Sequence, residues 1–312
     1  MNEFRDSGAP SNIPPRLKDL PWAPPASFLA IPEEETPFAS CPIVILPVPY
    51  ESTVSYMGGT RYGPRGLLHA SRFLETYDHE LDFEPYVVGV HTLPELVLPD
   101  SGPEQALAEL RRAMDGLIDE GKFVIMLGGE HSLSGPPILA HAARYRDKRL
   151  SVLQLDAHTD LRAEYEGTPF SHACVMHRVH RQVNLVPVGI RSLTPEERTL
   201  IRAQNIPVIY GHELRDENWI DRALESLGDD VYITFDIDYF DPSLVPSTGT
   251  PEPGGGEWYP TLDLLERVFK EKNVVGCDVV ELAPIPGLVA PDFLAAKLVY
   301  KMIAFYAKRN GN

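Results

Sequence analysis

The chain holds only three cysteines, Cys41, Cys174 and Cys277, far apart and without a CxxC pair. Neither a disulfide framework nor a structural zinc site can be built on that count, and a reducing, cytoplasmic setting is expected. Cations are scarce as well: 28 Lys and Arg stand against 45 Asp and Glu, a formal charge of −17. A phosphate backbone needs clustered Lys and Arg, so nucleic acid is excluded as a partner, while a cationic ligand is compatible with the charge. Long apolar runs are missing too. No stretch approaches the ~20 apolar residues that span a bilayer, and no basic stretch leads into an apolar core at the start, so no membrane partner is expected. The last helical segment, 292–309, carries Lys297, Lys301 and Lys308 and reads as amphipathic.

What is present is a folded core in a regular series. Residues 1–40 hold eight prolines and no sustained period, which predicts an extended arm. Its Phe4, Leu20, Trp22 and Phe28 favour docking over a free tail. From residue 42 onward, short apolar runs such as "IVILPV", "VVGVHT", "FVIMLG", "LSVLQLD" and "VNLVPVG" alternate with segments of helical period. Strands that are apolar at nearly every position, joined by helices, indicate a parallel sheet covered on both faces. Thr194, Pro195 and Glu197 form a helix-start signature: N-cap, first-turn proline and capping-box glutamate. No internal repeat or linker splits the series, so residues 41–312 read as one domain. About eight strands can close into a (β/α)8 barrel or stay open, and both arrangements put ligand sites at the carboxyl ends of the strands.

Three of those ends are rich in metal-type ligands. "VIMLGGEHS" runs into Glu130 and His131, "SVLQLDAHTD" into Asp156, His158 and Asp160, and "VYITFDIDYFDP" into Asp236, Asp238 and Asp241. A single Asp past a strand is usually a turn former or helix cap. Residues at i, i+2 and i+4 of an extended segment share a side, so these carboxylates are expected to converge. Crowded carboxylates repel unless a cation neutralises them. Four carboxylates with two imidazoles exceed what one tetrahedral zinc needs and suggest two metals, with manganese favoured and nickel, cobalt or zinc as substitutes. Such a pair lowers the pKa of a shared water, which points to metal-assisted hydrolysis. A fourth end, "GCDVVELAP", supplies Glu281, with Asp278 earlier in the run; a cap or a partner for a cation are both open there.

On "GGEHS", "DAHTD" and "FDIDYFDP", joined by "GGTRYGPRGLLHAS" and "STGTPEPGGG", the chain resembles the ureohydrolase family of arginases and agmatinases from about residue 40 to the C-terminus. The resemblance implies a single three-layer α/β/α domain with a mostly parallel, about eight-stranded sheet. It implies that His131, Asp156, Asp160 and Asp236 hold one Mn2+ while Asp156, His158, Asp236 and Asp238 hold the other. It implies further that Glu281 grips a substrate guanidinium, that Asp160 passes on a proton, and that His172 relays protons to solvent. A homotrimer or homohexamer is implied in the same way. The products would be urea and an amine.

Two departures matter. Glu130 stands where the family usually has Asp, and a supporting place behind the ligands is expected for it. The segment "LRAEYEGTPFSHA" lacks the polar pattern by which arginases hold an α-amino acid, so the agmatinase branch fits better, with agmatine first and aminopropylagmatine or guanidinobutyrate as alternatives. Glu164 and Glu166 are the candidates for a distal ammonium, with solvated loop charges as the alternative and Arg162 as a complication. His69, His79, His91, His177, His180 and His212 read as core or surface residues, and Cys174 as a small buried side chain. A non-catalytic metal-binding homologue and a mono-zinc amide hydrolase remain as competing classes; metal stoichiometry separates the second.

Overall fold

A computed structural model describes residues 26–145 and 149–311. Its strands are β1 (Ile43–Val48), β2 (Val90–Thr92), β3 (Phe123–Gly128), β4 (Ser151–Leu155), β5 (Asn184–Ile190), β6 (Ile209–Tyr210), β7 (Asp230–Asp236) and β8 (Asn273–Val280). They pair in parallel in the order β2-β1-β3-β8-β7-β4-β5-β6, with β2 and β6 at unpaired edges among the described residues. The sheet is therefore open, and the barrel alternative falls.

The helices are α1 (Gly63–Ser71), α2 (Pro103–Asp119), α3 (Gly135–Arg144), α4 (Val175–Val179), α5 (Pro195–Gln204), α6 (Trp219–Ser226), α7 (Trp258–Glu271) and α8 (Ala290–Arg309). Alternate strand residues feed opposite layers. Ile43, Ile45, Phe123 and Ile125 pack toward α1, α6, α7 and α8, while Leu46, Val48, Val124 and Met126 pack toward α2 and α3. Val152 and Leu185 join α3, α4 and α5 on that second side. Both faces are dry, which is why the strands read as continuous apolar runs. The expected capping box opens α5: Thr194 accepts from the Glu197 N–H, and the Glu197 carboxylate accepts from the Thr194 N–H.

Two local readings change. The run "VVGVHT" is not one strand: Pro85–Val88 forms a 3-10 turn, and Gly89 at φ 93° separates it from β2. The final helix is not amphipathic; α8 is buried nearly all round, and its Lys301 is enclosed with Asp78 and Glu80 as ion-pair partners. A buried lysine with two carboxylates satisfies its charge inside the layer instead of marking a wet face. Of the arm, residues 1–25, including Phe4, Leu20 and Trp22, lie outside the described residues. Phe28 is buried near Tyr300, and its N–H donates to Thr92 Oγ1.

The functional consequence lies in the strand order. The chain runs from β1 outward to β2, returns to β3, crosses to β4 and runs outward through β5 and β6, and β7 and β8 then fill the gap between β4 and β3. A crevice opens over the carboxyl ends where the direction reverses.

Candidate metal centre and active site

The four strand ends at that crevice carry the acidic motifs. Gly129, just past β3, allows a close backbone crossing: a Cβ there would lie 1.8 Å from Tyr50 O, and the next N–H, of Glu130, donates to that carbonyl. His131 follows and turns into the crevice, 1% exposed.

The ligands do not converge by strand alternation. β4 ends at Leu155 and β7 at Asp236, so the motifs lie in turns, and Asp156 and Asp236 fold those turns with their own side chains. Asp156 Oδ1 accepts from His158 N at 2.6 Å, and Asp236 Oδ1 accepts from Asp238 N at 2.9 Å. Each is an Asx turn that aims the residue two places on. Asp160 reaches the site through a left-handed backbone, φ 51°, with its carbonyl taking the N–H groups of Met176 and His177 in α4. Glu281, one residue past β8, is left-handed too at φ 64°. Non-glycine residues in this region cost roughly 1–3 kcal/mol each and persist where tertiary contacts hold them.

The resulting geometry has two foci. Oδ2 atoms of Asp156, Asp160 and Asp236 stand 3.1, 3.1 and 3.2 Å from His131 Nδ1. His158 Nδ1 lies 2.9 Å from Asp238 Oδ2 and 3.7 Å from Asp156 Oδ1. Donor atoms of His131, Asp156 and Asp236 form one compact group and those of Asp156, His158 and Asp238 a second, with Asp156 in both.

Electrostatics tests whether cations fit. Burial, with Asp238 and Asp160 nearby, pushes Asp156 up to about 6; burial, with Asp238 and Asp156, raises Asp236 well above the usual carboxylate range. Burial opposes charge on both imidazoles, yet the carboxylates carry His131 well above its ordinary value and His158 up to about 11. Asp238 is lowered despite burial because His158 faces it. Metal-free, the site therefore calls for extra positive charge.

The wiring behind His131 says where. Thr234 Oγ1 donates to the buried Asp278 at 2.8 Å, so at 2.9 Å from His131 Nε2 it can only accept, and Nε2 carries a proton. Ser134 and Tyr232 also donate to Asp278. The other nitrogen, Nδ1, is buried, has no hydrogen-bond partner and faces three carboxylate oxygens. Only a proton or a metal cation there removes the conflict, so the donor set fits a metal. Gln154 steadies the second focus, its Nε2 donating to Asp156 Oδ2 and to His158 O.

Glu281 is 8% exposed, accepts from His131 N at 2.7 Å through Oε1, and has no Lys or Arg partner among the described residues. Burial pushes it up to about 8, partly offset by that N–H. It lines a cleft of about 300 Å3 together with five of the six expected ligands, His131, His158, Asp160, Asp236 and Asp238. Asp156 sits beneath them, fully buried. His172 also lines the cleft, as do Tyr56, Arg162, Tyr165, Glu197 and Glu252.

Glu164 and Glu166 do not: both are exposed in the turn around Tyr165 and Thr168, and the cleft wall takes Arg162 and Tyr165 from that segment instead, stacked at 4.6 Å. The free acid of the cleft is Glu252, whose carboxylate makes no hydrogen bond or ion pair among the described residues. Glu197 is spent on Thr159, Leu161 N and Thr194 N. Sequence reading missed Glu252, Thr53, Gln154 and Thr234; of these only Gln154 and Thr234 left a signal, as polar residues inside apolar strand runs. The Glu130 carboxylate accepts from Ser52, Thr53 and Ser132, none of them an expected ligand. None of the seven histidines outside the motifs, His141 included, lines the cleft, and burial raises Cys174 to about 11, against a thiolate role.

An open parallel sheet with paired histidine–carboxylate foci at its switch point defines a binuclear metal hydrolase. The sequence model of the Arginase family matches residues 41–304, and the chain belongs to that family of binuclear metal-dependent enzymes that hydrolyse amidino C–N bonds. It is 40% identical over 294 residues to the N(1)-aminopropylagmatine ureohydrolase of Synechocystis sp., covering 91% of this chain and 95% of that protein. It is 36% identical over 253 residues to the agmatinase of Bacillus cereus, covering 80% and 86%. The crystal structure of agmatine ureohydrolase of Thermoplasma volcanium superposes with a TM-score of 0.79 at 29% identity, over 87% of this chain and 92% of that one.

Proposed function

We propose that this enzyme releases urea from a linear guanidine bearing an amine tail, with N1-aminopropylagmatine as the preferred substrate and agmatine second. The single observation that carries the guanidine reading is Glu281: a buried carboxylate without a Lys or Arg partner among the described residues, beside the candidate metal foci, in a cleft that also holds Glu252. The higher identity to an aminopropylagmatine ureohydrolase supports the longer tail, whose additional ammonium would meet Glu252. A guanidino acid would bring its carboxylate against that same acid.

The residues present would hold two divalent cations, Mn2+ by preference for a mixed oxygen and imidazole set: His131, Asp156, Asp160 and Asp236 at one focus, and Asp156, His158, Asp236 and Asp238 at the other. When bound, such a pair supplies a water acidic enough to lose a proton near neutral pH. Glu281 offers the planar cation Oε2 and the second lone pair of Oε1, because His131 N–H already occupies the first. That orients the guanidinium carbon toward the metal foci. Asp160, with Oδ2 turned to His131, keeps Oδ1 to hold the proton of the attacking water. His172, half-buried at the cleft wall, exchanges protons with solvent and the leaving amine. Residues 41–312 form the catalytic unit in this reading. A homotrimer or homohexamer working in the cytoplasm belongs to the same reading. No helix among the described residues is long and apolar enough to cross a membrane.

The test is reconstitution with manganese, then nickel, followed by urea release from N1-aminopropylagmatine, agmatine, arginine and guanidinobutyrate. Urea from the two amine-tailed guanidines, with two metals per chain, is expected. Absence of urea from all four with either metal would sink the reading. Glu252→Gln should raise KM for the amine-tailed substrates several-fold and leave kcat nearly unchanged.

A further inference from the structure

We propose that Thr53 and Glu130 determine which nitrogen of the His172 ring carries its proton, placing it on Nδ1 and leaving Nε2 bare toward the cleft. The inference rests on the reading of His172 as the proton-exchanging group and deepens it by assigning the atom and the two positioning residues.

The chain of donors starts at Glu130, which is fully buried. Its Oε2 accepts from the backbone N–H groups of Ser52 and Thr53, both at 2.6 Å, and backbone donors cannot be reversed. Its Oε1 accepts from Ser132 Oγ at 2.6 Å and from Thr53 Oγ1 at 2.8 Å. With a donor on each side, Glu130 acts only as an acceptor, and an ionised acceptor outcompetes a neutral one for a hydroxyl proton.

Thr53 has one hydroxyl proton, and it goes to Glu130. Its oxygen then has two lone pairs left. One accepts from the His172 backbone N–H at 3.0 Å, again a donor that cannot reverse. The other faces His172 Nδ1 at 3.2 Å, so Nδ1 must be the donor. Turning the Thr53 proton toward Nδ1 instead would leave two oxygen lone pairs opposed at 2.8 Å against the fully buried Glu130, the costlier arrangement. The one competitor among the described residues is Ser171 Oγ, 3.4 Å from the same nitrogen; its hydroxyl can rotate and accept.

A neutral imidazole has one donor and one acceptor, so Nε2 is the lone pair available to the cleft. In turnover Nε2 takes up one proton to give an imidazolium whose Nδ1–H stays on Thr53, and the same proton then leaves from Nε2 to the departing amine. The ring returns to its starting tautomer without rotating. Glu130 and Thr53 thus act on the reaction through His172, from 77 positions apart in the chain. An Asp at 130 would fall short of Thr53 by roughly one carbon–carbon bond, ~1.5 Å.

The direct test is long-range 15N–1H NMR of the full metal-free chain labelled at histidine, at a pH where His172 is neutral, with His172→Asn to assign its signals. A protonated Nδ1 and an unprotonated Nε2 are expected. Thr53→Val should move both shifts toward the opposite tautomer, Thr53→Ser should restore them, and Ser171→Ala should leave them unchanged. A bare Nδ1 in the wild type, or a tautomer that follows Ser171 and ignores Thr53, overturns the proposal; the wild-type spectrum decides even where Thr53→Val does not fold. In the manganese-loaded enzyme, Thr53→Val should lower kcat roughly 10- to 100-fold, shift its pH profile and spare KM, with Thr53→Ser recovering most of the rate. The assigned tautomer in a protein that releases no urea would refute the proposed function and leave the hydrogen-bond assignment standing.

Discussion

Replacing Glu281 by Gln isolates the guanidinium contact with little disturbance of anything else. The side chain is 8% exposed, its backbone is left-handed, and its own N–H donates to Gly129 O at 2.8 Å. Gln keeps the length of the chain and one carbonyl oxygen for the His131 N–H at 2.7 Å. What it removes is the charge, and at the second position it presents an NH2 group to a cation that can only donate. Because Oε1 is already half engaged, one full charge-assisted hydrogen bond, that of Oε2, is the quantity lost. Such a bond contributes about 1.5–3 kcal/mol, which at ~1.4 kcal/mol per decade means a fall of roughly 10- to 150-fold in kcat/KM. The assay is urea release under manganese, with metal content and thermal unfolding measured on the same preparation. Metal stoichiometry should stay at two, and Tm should not fall, since a buried carboxylate held at about 8 by burial is being replaced by a neutral amide. A variant within threefold of wild type, with both metals in place, would refute Glu281 as the guanidinium partner.

Other perturbations probe the supporting structure. Asp278→Asn turns an acceptor shared by Thr234, Ser134 and Tyr232 into a group with a donor face, which frees His131 Nε2 from its fixed role. Manganese affinity, read by dialysis and metal analysis, should drop about 10- to 100-fold, and unchanged affinity would show that the wiring behind His131 is not needed. His141 tests linkage away from the site: burial, with Arg144 nearby, holds it at about 4 against an ordinary 6.5, and its Nε2 has no partner. The folded chain therefore binds fewer protons than the unfolded one between these values, so this contribution is complete above about 6.5 and lost as pH falls toward 4. At ~1.4 kcal/mol per pH unit the loss is on the order of 3 kcal/mol. His141→Leu should remove that much of the acid sensitivity in denaturant unfolding of the metal-free protein, and identical pH slopes for the two chains would count against it.

Some of this was legible in residue order because it is local. Apolar runs at nearly every strand position announce a sheet covered on both faces, and burial of a strand depends mainly on what it carries. Thr194 and Glu197 close a capping box within four positions, so it could be read directly. The candidate ligands were legible by type, since four carboxylates and two imidazoles gathered at strand ends call for a counter-cation wherever the strands lie.

The rest depended on groups brought together from far apart. Only the strand order, with β8 and β7 inserted between β3 and β4, sets Glu281 beside His131. Alternation wrongly suggested how the aspartates converge: turns closed by Asp156 and Asp236, and a left-handed Asp160 held by α4, do it instead. Lys301 read as the wet side of a helix because its partners Asp78 and Glu80 lie more than 220 positions away. Glu252 displaced Glu164 and Glu166 from the cleft because a loop's reach is decided by what packs beneath it. Residue order by itself determined the elements and the chemistry of the ligands, which follow from side-chain type and local period. Tertiary structure alone decided which acid lines the cleft and which hydroxyl faces His172, because those placements join segments whose separation in sequence carries no record of their distance in space.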